Sequence, residues 1–105
     1  MGLINNSPAP TLLAGDTLAS HSGWVESAAY SGNRKEWDDE NAVAGVKGST
    51  SSSTFNINAT VTIYGIFICE VDTGTSGLLW SEGAFSAPVG LVSGDDLKAS
   101  YSIGF

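Results

Sequence analysis

Positive charge is scarce: Lys and Arg number 4 in 105 residues against 11 Asp and Glu, giving a formal net charge of −7. A surface that anionic repels a phosphate backbone, so no direct contact with nucleic acid is expected. Charge of either sign is thin, at 14% of residues where a soluble domain carries roughly 25%. The one cysteine, Cys69, excludes a disulfide within the chain, and with a single histidine, His21, there is no ligand set for a structural zinc site. Cys69 stands in the apolar run Tyr64 to Val71, which reads as the place of a buried thiol. Nothing approaches the ~20 apolar residues of a membrane span, and MGLINNSPAP has neither the basic nor the apolar stretch of a secretory signal. The chain therefore reads as made in the cytoplasm, neither secreted nor anchored. Asn6 stands where myristoylation wants Ser or Thr, and Asn5-Asn6-Ser7 and Asn58-Ala59-Thr60 are chance matches to a glycosylation pattern.

Helical periodicity is also missing. A chain of this length fits one domain that buries roughly 60–70% of its unfolded surface. Met1–Ala14, with Asn5, Asn6, Pro8 and Pro10, reads as an extended N-terminal arm. Residues 15–105 read as a single β-domain, loop-rich over 15–53 and strand-rich over 54–105. In the first part Trp24, Tyr30 and Trp37 are scattered among small residues, and Asn33 to Ala42, with Asp38, Asp39 and Glu40, reads as a solvated loop in which Asn33 could cap a turn. The polar string Gly48 to Ser53 is a connector.

Strand vocabulary dominates the second half of the chain. Phe55, Ile57, Ala59, Val61 and Ile63 alternate with Asn and Thr, the period of two that puts one face on a core. The phase then breaks: Ile63 to Cys69 is apolar at every position but Gly65, as expected for a strand covered on both faces or bent at the glycine. Asp72 to Gly77 is turn chemistry, LLWSEGAF from Leu78 resumes a strand, Ser93 to Asp96 marks another turn, and Leu97, Ala99, Tyr101, Ile103 and Phe105 alternate to the last residue. LAGDTLAS from Leu13 and VSGDDLKAS from Val92 suggest one turn device used twice. Short strands joined by Gly-rich turns predict an all-β fold, a small antiparallel β-sandwich or jelly-roll-like barrel.

Chemistry is harder to find. His21 has no recognisable nucleophile or orienting carboxylate beside it and reads as a loop histidine. Asp38, Asp39, Glu40 and Asn41 lack the ligand spacing of a calcium loop. Glu70 and Glu82 interrupt apolar strands and are the only candidates for paired carboxylates, although inward charges that discourage edge-to-edge aggregation explain them as well. No catalytic residue, metal site or cofactor fingerprint is assigned, and an enzyme is not expected.

The resemblance rests on Gly23-Trp24-x-Glu26, on Gly74-Thr75-x-Gly77, on Ala84-Phe85-Ser86 and on Gly94-Asp95-x-Leu97. In this order, within the segments from Ala19 to Gly32 and from Ser53 to the end, they resemble small virion proteins of bacteriophages over about two-thirds of the chain. NRKEWDDENAVAGVKG departs from that pattern, being charged and Trp-bearing where a blander linker is expected. The resemblance implies a structural component of the virion without fixing its place: a head decoration or cement protein docked on the major capsid protein or other virion proteins, or a tail, neck or fibre subunit. Its interface would draw on Leu3, Ile4, Leu12 and Leu13 of the arm and on Trp24, Trp37 and Trp80, the residue type most enriched at interface centres, in a symmetric homo-oligomer. The competing expectation is a carbohydrate-binding β-sandwich with one of the tryptophans as its platform. A third is that a domain this small needs all three tryptophans inside.

Overall fold

A computed structural model describes residues 1–37, 46–48 and 52–104. The described residues form eight strands and no helix: β1 (Gly2–Asn5), β2 (Glu26–Ser27), β3 (Val46–Lys47), β4 (Ser53–Asn56), β5 (Val61–Cys69), β6 (Leu79–Leu91), β7 (Asp96–Ala99) and β8 (Ile103–Gly104). All pairings are antiparallel, in a four-stranded sheet of order β2-β1-β5-β6 and two ribbons, β3-β8 and β4-β7. The expected all-β class and antiparallel pairing are both present.

The segment expected to begin a free arm is instead an interior strand. β1 lies between β2 and β5, and its Leu3 and Ile4 are both 0% exposed. Successive side chains on a strand face opposite ways, so these two residues seed different cores, each worth roughly 1.5–3 kcal/mol on burial. Leu3 joins Ile63, Ile66 and Ile68 of β5, Phe55 of β4 and Ala99 of β7. Ile4 joins Phe67, Leu18 and Trp24. The large sheet is thus covered by the β4-β7 ribbon on one face and by the irregular segment around Leu18 and Trp24 on the other. Double covering is why Ile63 to Cys69 is apolar almost throughout. A side chain at Gly2 would collide with the Phe67 ring, so the smallest residue lets that ring lie across β1.

Three departures from the sequence expectation concern strand limits. The alternation from Leu97 divides between β7, paired with β4, and β8, paired with β3. The alternating run Phe55 to Ile63 is not one strand: β4 ends at Asn56, and β5 starts at Val61 in another sheet. Between them Ile57 donates its N–H to the Asp95 carbonyl at 2.8 Å and Asn58 its own to Ala29 at 3.1 Å, which turns the chain from one layer into the other. Ser53, expected in a polar connector, begins β4 and is buried, its hydroxyl donating to the Glu36 carbonyl at 2.8 Å. The acidic string Asp38 to Asn41 lies outside the described residues.

Within the β5-β6 hairpin the register slips twice. Ile63 faces Val89 and Gly65 faces Ala84, leaving Tyr64 opposed by Phe85–Pro88. Ile68 faces Ser81 and Cys69 faces Leu79, leaving Trp80 unopposed. Such bulges twist an edge and re-aim a side chain. The repeated turn device is real. In both turns the Asp side chain accepts from the residue three before it: Leu13 N–H to Asp16 Oδ2 at 3.0 Å, and Val92 N–H to Asp95 Oδ2 at 2.9 Å. In both, the Asp N–H returns to that residue's carbonyl, at 3.0 and 3.1 Å.

Candidate functional site

Three polar assemblies stand out against the thinly charged surface. In the first, Arg34 is 9% exposed and forks onto Glu26, with Nε to Oε2 at 2.8 Å and Nη2 to Oε1 at 2.7 Å. Its remaining terminal nitrogen, Nη1, donates to the carbonyls of Val71 at 3.2 Å and Gly74 at 2.8 Å, and the guanidinium stands 5.4 Å from the centre of the Phe67 ring. The planar fork satisfies all of these at once, as Lys could not. It ties β2 to the turn between β5 and β6.

The second assembly joins the Asp16 turn to β6. Asp16 Oδ2 accepts from the Trp24 indole at 3.1 Å as well as from Leu13, and the His21 ring stacks on Trp24 at 3.7 Å and 11°. The Glu82 carboxyl neighbours Asp16 and Trp24, and burial first, then Asp16, pushes its pKa up to about 7. Asp16 is held below its ordinary value, first of all by the Leu13 N–H. Glu82 Oε2 is buried and meets no donor, which costs least when the pair holds one proton and Glu82 is the acid that donates. The partner of Glu82 is therefore Asp16 and not Glu70. The arrangement pairs one protonated carboxyl with one carboxylate, and its neighbours are the core tryptophan and a turn. It reads as a clasp between the covering segment and the sheet.

The clasp sets a pH dependence. Folded, Glu82 keeps its proton up to about pH 7 against an ordinary value of 4.5. Between those values the folded state binds more protons, so stability falls as pH rises. With allowance for solvent screening the fall is roughly 1–2 kcal/mol. Glu82→Gln, whose amide donates at every pH, is expected to flatten the slope and to be the more stable protein at pH 8. Urea unfolding at pH 5 and pH 8 measures this, and an unchanged slope in the variant would rule the clasp out as its source.

The third assembly is a cleft of about 540 Å³ at the end of the large sheet, bordered by Lys35, Glu36, Trp37, Glu70, Asp72 and Trp80 among others. Trp80, the unopposed residue of the second bulge, is 62% exposed. Trp37 packs edge-on against Tyr101, at 6.1 Å and 80°. Cys69, expected to be buried, is half-buried on the cleft wall, with Sγ 3.1 Å from the Val71 carbonyl.

The expected interface residues therefore separate. Leu3, Ile4 and Trp24 are core, the last 2% exposed, because each fills a face of the large sheet. Leu12 is half-buried against the second core, while Leu13 is 50% exposed. Trp37 and Trp80 share the cleft. Asp16 and Arg34 were not singled out by the sequence; the only signal for Asp16 is the Gly-Asp string shared by the two turns. Among the described residues no three His, Cys, Asp or Glu side chains form a group able to hold a metal ion, and no helix is long and apolar enough to cross a membrane.

Comparison with protein-family models, with curated proteins and with solved structures finds no match to this chain.

Proposed function

We propose that the chain is a non-enzymatic structural protein of a bacteriophage virion, a head decoration or cement subunit that docks on the major capsid protein and assembles as a homo-oligomer. The reading joins the resemblance of its turn and strand strings to one observation, the outer edge of β6. From Ser81 to Ala84 the ladder to β5 is regular, and the one ionisable residue, Glu82, is the carboxyl that holds its proton up to about pH 7. No described residue pairs with the outer side. A strand from a neighbouring protein can add there through main-chain hydrogen bonds, the cheapest way for a small domain to grip a shell. Beyond Ala84 the bulge and Pro88 blunt the edge, which limits indiscriminate pairing. In this reading the two faces of the large sheet and the β4-β7 ribbon make a sandwich-type body.

Immunogold electron microscopy of purified particles, with antibody against this chain, tests the proposal. Gold spread evenly over heads is the expected result. Gold confined to tail or neck would move the chain to a tail-associated role, and particles without label would end the virion reading.

A further inference from the structure

We infer that the cleft between Trp37 and Trp80 binds a neutral saccharide. The first support is that, among the described residues, Trp80 belongs to neither core. Trp24 fills the second core, whereas Trp80 stands 62% exposed where the ladder gains a residue. Leaving so large an apolar surface in water forgoes the burial that usually justifies a tryptophan. A bulge that turns the indole out is the device by which sheet edges aim a functional side chain. Trp37 borders the same cleft and is steadied by Tyr101. Trp80 offers a flat apolar surface to the C–H face of a sugar ring, and Trp37 beside it is half-buried against the first core.

The polar groups narrow the class. Arg34 reaches the cleft, but its guanidinium is spent on Glu26 and on two carbonyls, and Lys35 Nζ donates to the Ser31 carbonyl at 3.0 Å. The carboxylates of Glu36, Glu70 and Asp72 remain on the rim, Asp72 already accepting from the Asn33 amide at 3.2 Å. The Met1 ammonium also lines the cleft, donating to the Lys35 carbonyl at 2.6 Å. With Arg34 balanced by Glu26, the three rim carboxylates outnumber Met1 and Lys35, so the cleft disfavours phosphates, sulfates and acidic sugars. The same carboxylates accept from sugar hydroxyls. A volume of about 540 Å³ falls in the ordinary range of small-ligand clefts, ~300–1,000 Å³, and exceeds what a single quaternary ammonium group needs. A short neutral oligosaccharide, free or part of a surface polysaccharide, matches the flat apolar surface, the acceptors and the size together.

The test is a glycan array carrying neutral and acidic mono- and oligosaccharides, probed with the full chain and with Trp80→Ala and Trp37→Phe. Retention on one or more neutral oligosaccharides is expected, weakened about tenfold or more in Trp80→Ala, the loss typical of a central aromatic contact. Trp80→Ala should melt within a few degrees of the parent, since its side chain lies outside both cores. Titration of the best neutral oligosaccharide should shift indole fluorescence in the parent, and competition by the free sugar against the immobilised polymer separates the two sources. Four results would overturn the inference: no retention on any neutral sugar, retention on acidic sugars alone, displacement by choline in place of sugar, or binding indifferent to Trp80→Ala. None of these bears on where gold falls on a particle, so this inference and the virion reading fail separately.

Discussion

Replacing Arg34 by alanine is expected to cost about 3–5 kcal/mol of unfolding free energy, the range for breaking a buried charge pair by removing one partner. The loss is large because four acceptors are stranded together: both oxygens of Glu26 and the carbonyls of Val71 and Gly74. Glu26, its side chain 27% exposed, is then left with the Met1 ammonium as its nearby positive charge. Arg34→Lys should recover only part of the loss, because an ammonium cannot present two parallel donors to one carboxylate and still reach the turn between β5 and β6. Glu26→Gln should cost less than Arg34→Ala, since the two carbonyls keep their donor. Urea unfolding of the three variants gives the order, and a double-mutant cycle between Glu26 and Arg34 isolates the fork itself. A loss below about 1 kcal/mol for Arg34→Ala would place the guanidinium among the weak surface pairs and remove its role as a staple.

Little of this was legible in the order of residues. Arg34 stands in the string NRKEWDDE, whose density of charge reads as a solvated loop; its partner carbonyls lie 37 and 40 positions away. Distant pairing of that kind leaves no local periodicity. The alternation from Phe55 to Ile63 was legible as inward and outward positions but not as a corner, because Phe55 and Ile63 both point to the same core from two different sheets. Leu3 and Ile4 are only two apolar residues, followed by Asn and Pro, and nothing nearby says that β5 will pair with them. The turns fared better, because Asp-capped and Gly-containing turns are built from their own four residues. Gly94, at φ +98°, is where VSGD required it. The tryptophans show the limit most clearly. Trp24, Trp37 and Trp80 are chemically identical in the text, and only tertiary placement makes one a core residue and two the walls of a cleft.

Gly65 is the position where sequence and structure meet most closely, and Gly65→Ala is expected to cost about 3 kcal/mol or more, at or beyond the upper end of ordinary overpacking. The phase break in the apolar run reads as a strand covered on both faces or bent at this glycine. The structure supplies the reason: both neighbours of β5 change register beside it. β1 steps from Ile4 opposite Gly65 to Asn5 opposite Ile63, and β6 steps from Ala84 opposite Gly65 to Val89 opposite Ile63. A methyl group at Gly65 would fall on the carbonyl oxygen of Gly83 and lie 2.9 Å from the Ala84 Cα. Those atoms are backbone, held in the ladder, and no rotamer change relieves them. Gly90→Ala is the matched control on the same hairpin: an added Cβ there meets nothing within 4 Å, so stability should stay level or rise slightly as the unfolded chain loses freedom. Urea midpoints of the two variants decide the matter, with soluble yield as the readout should Gly65→Ala fail to fold. Equal midpoints would mean that β6 can move away from β5 at the bulge, and the edge strand on which docking depends would then be a loosely held one.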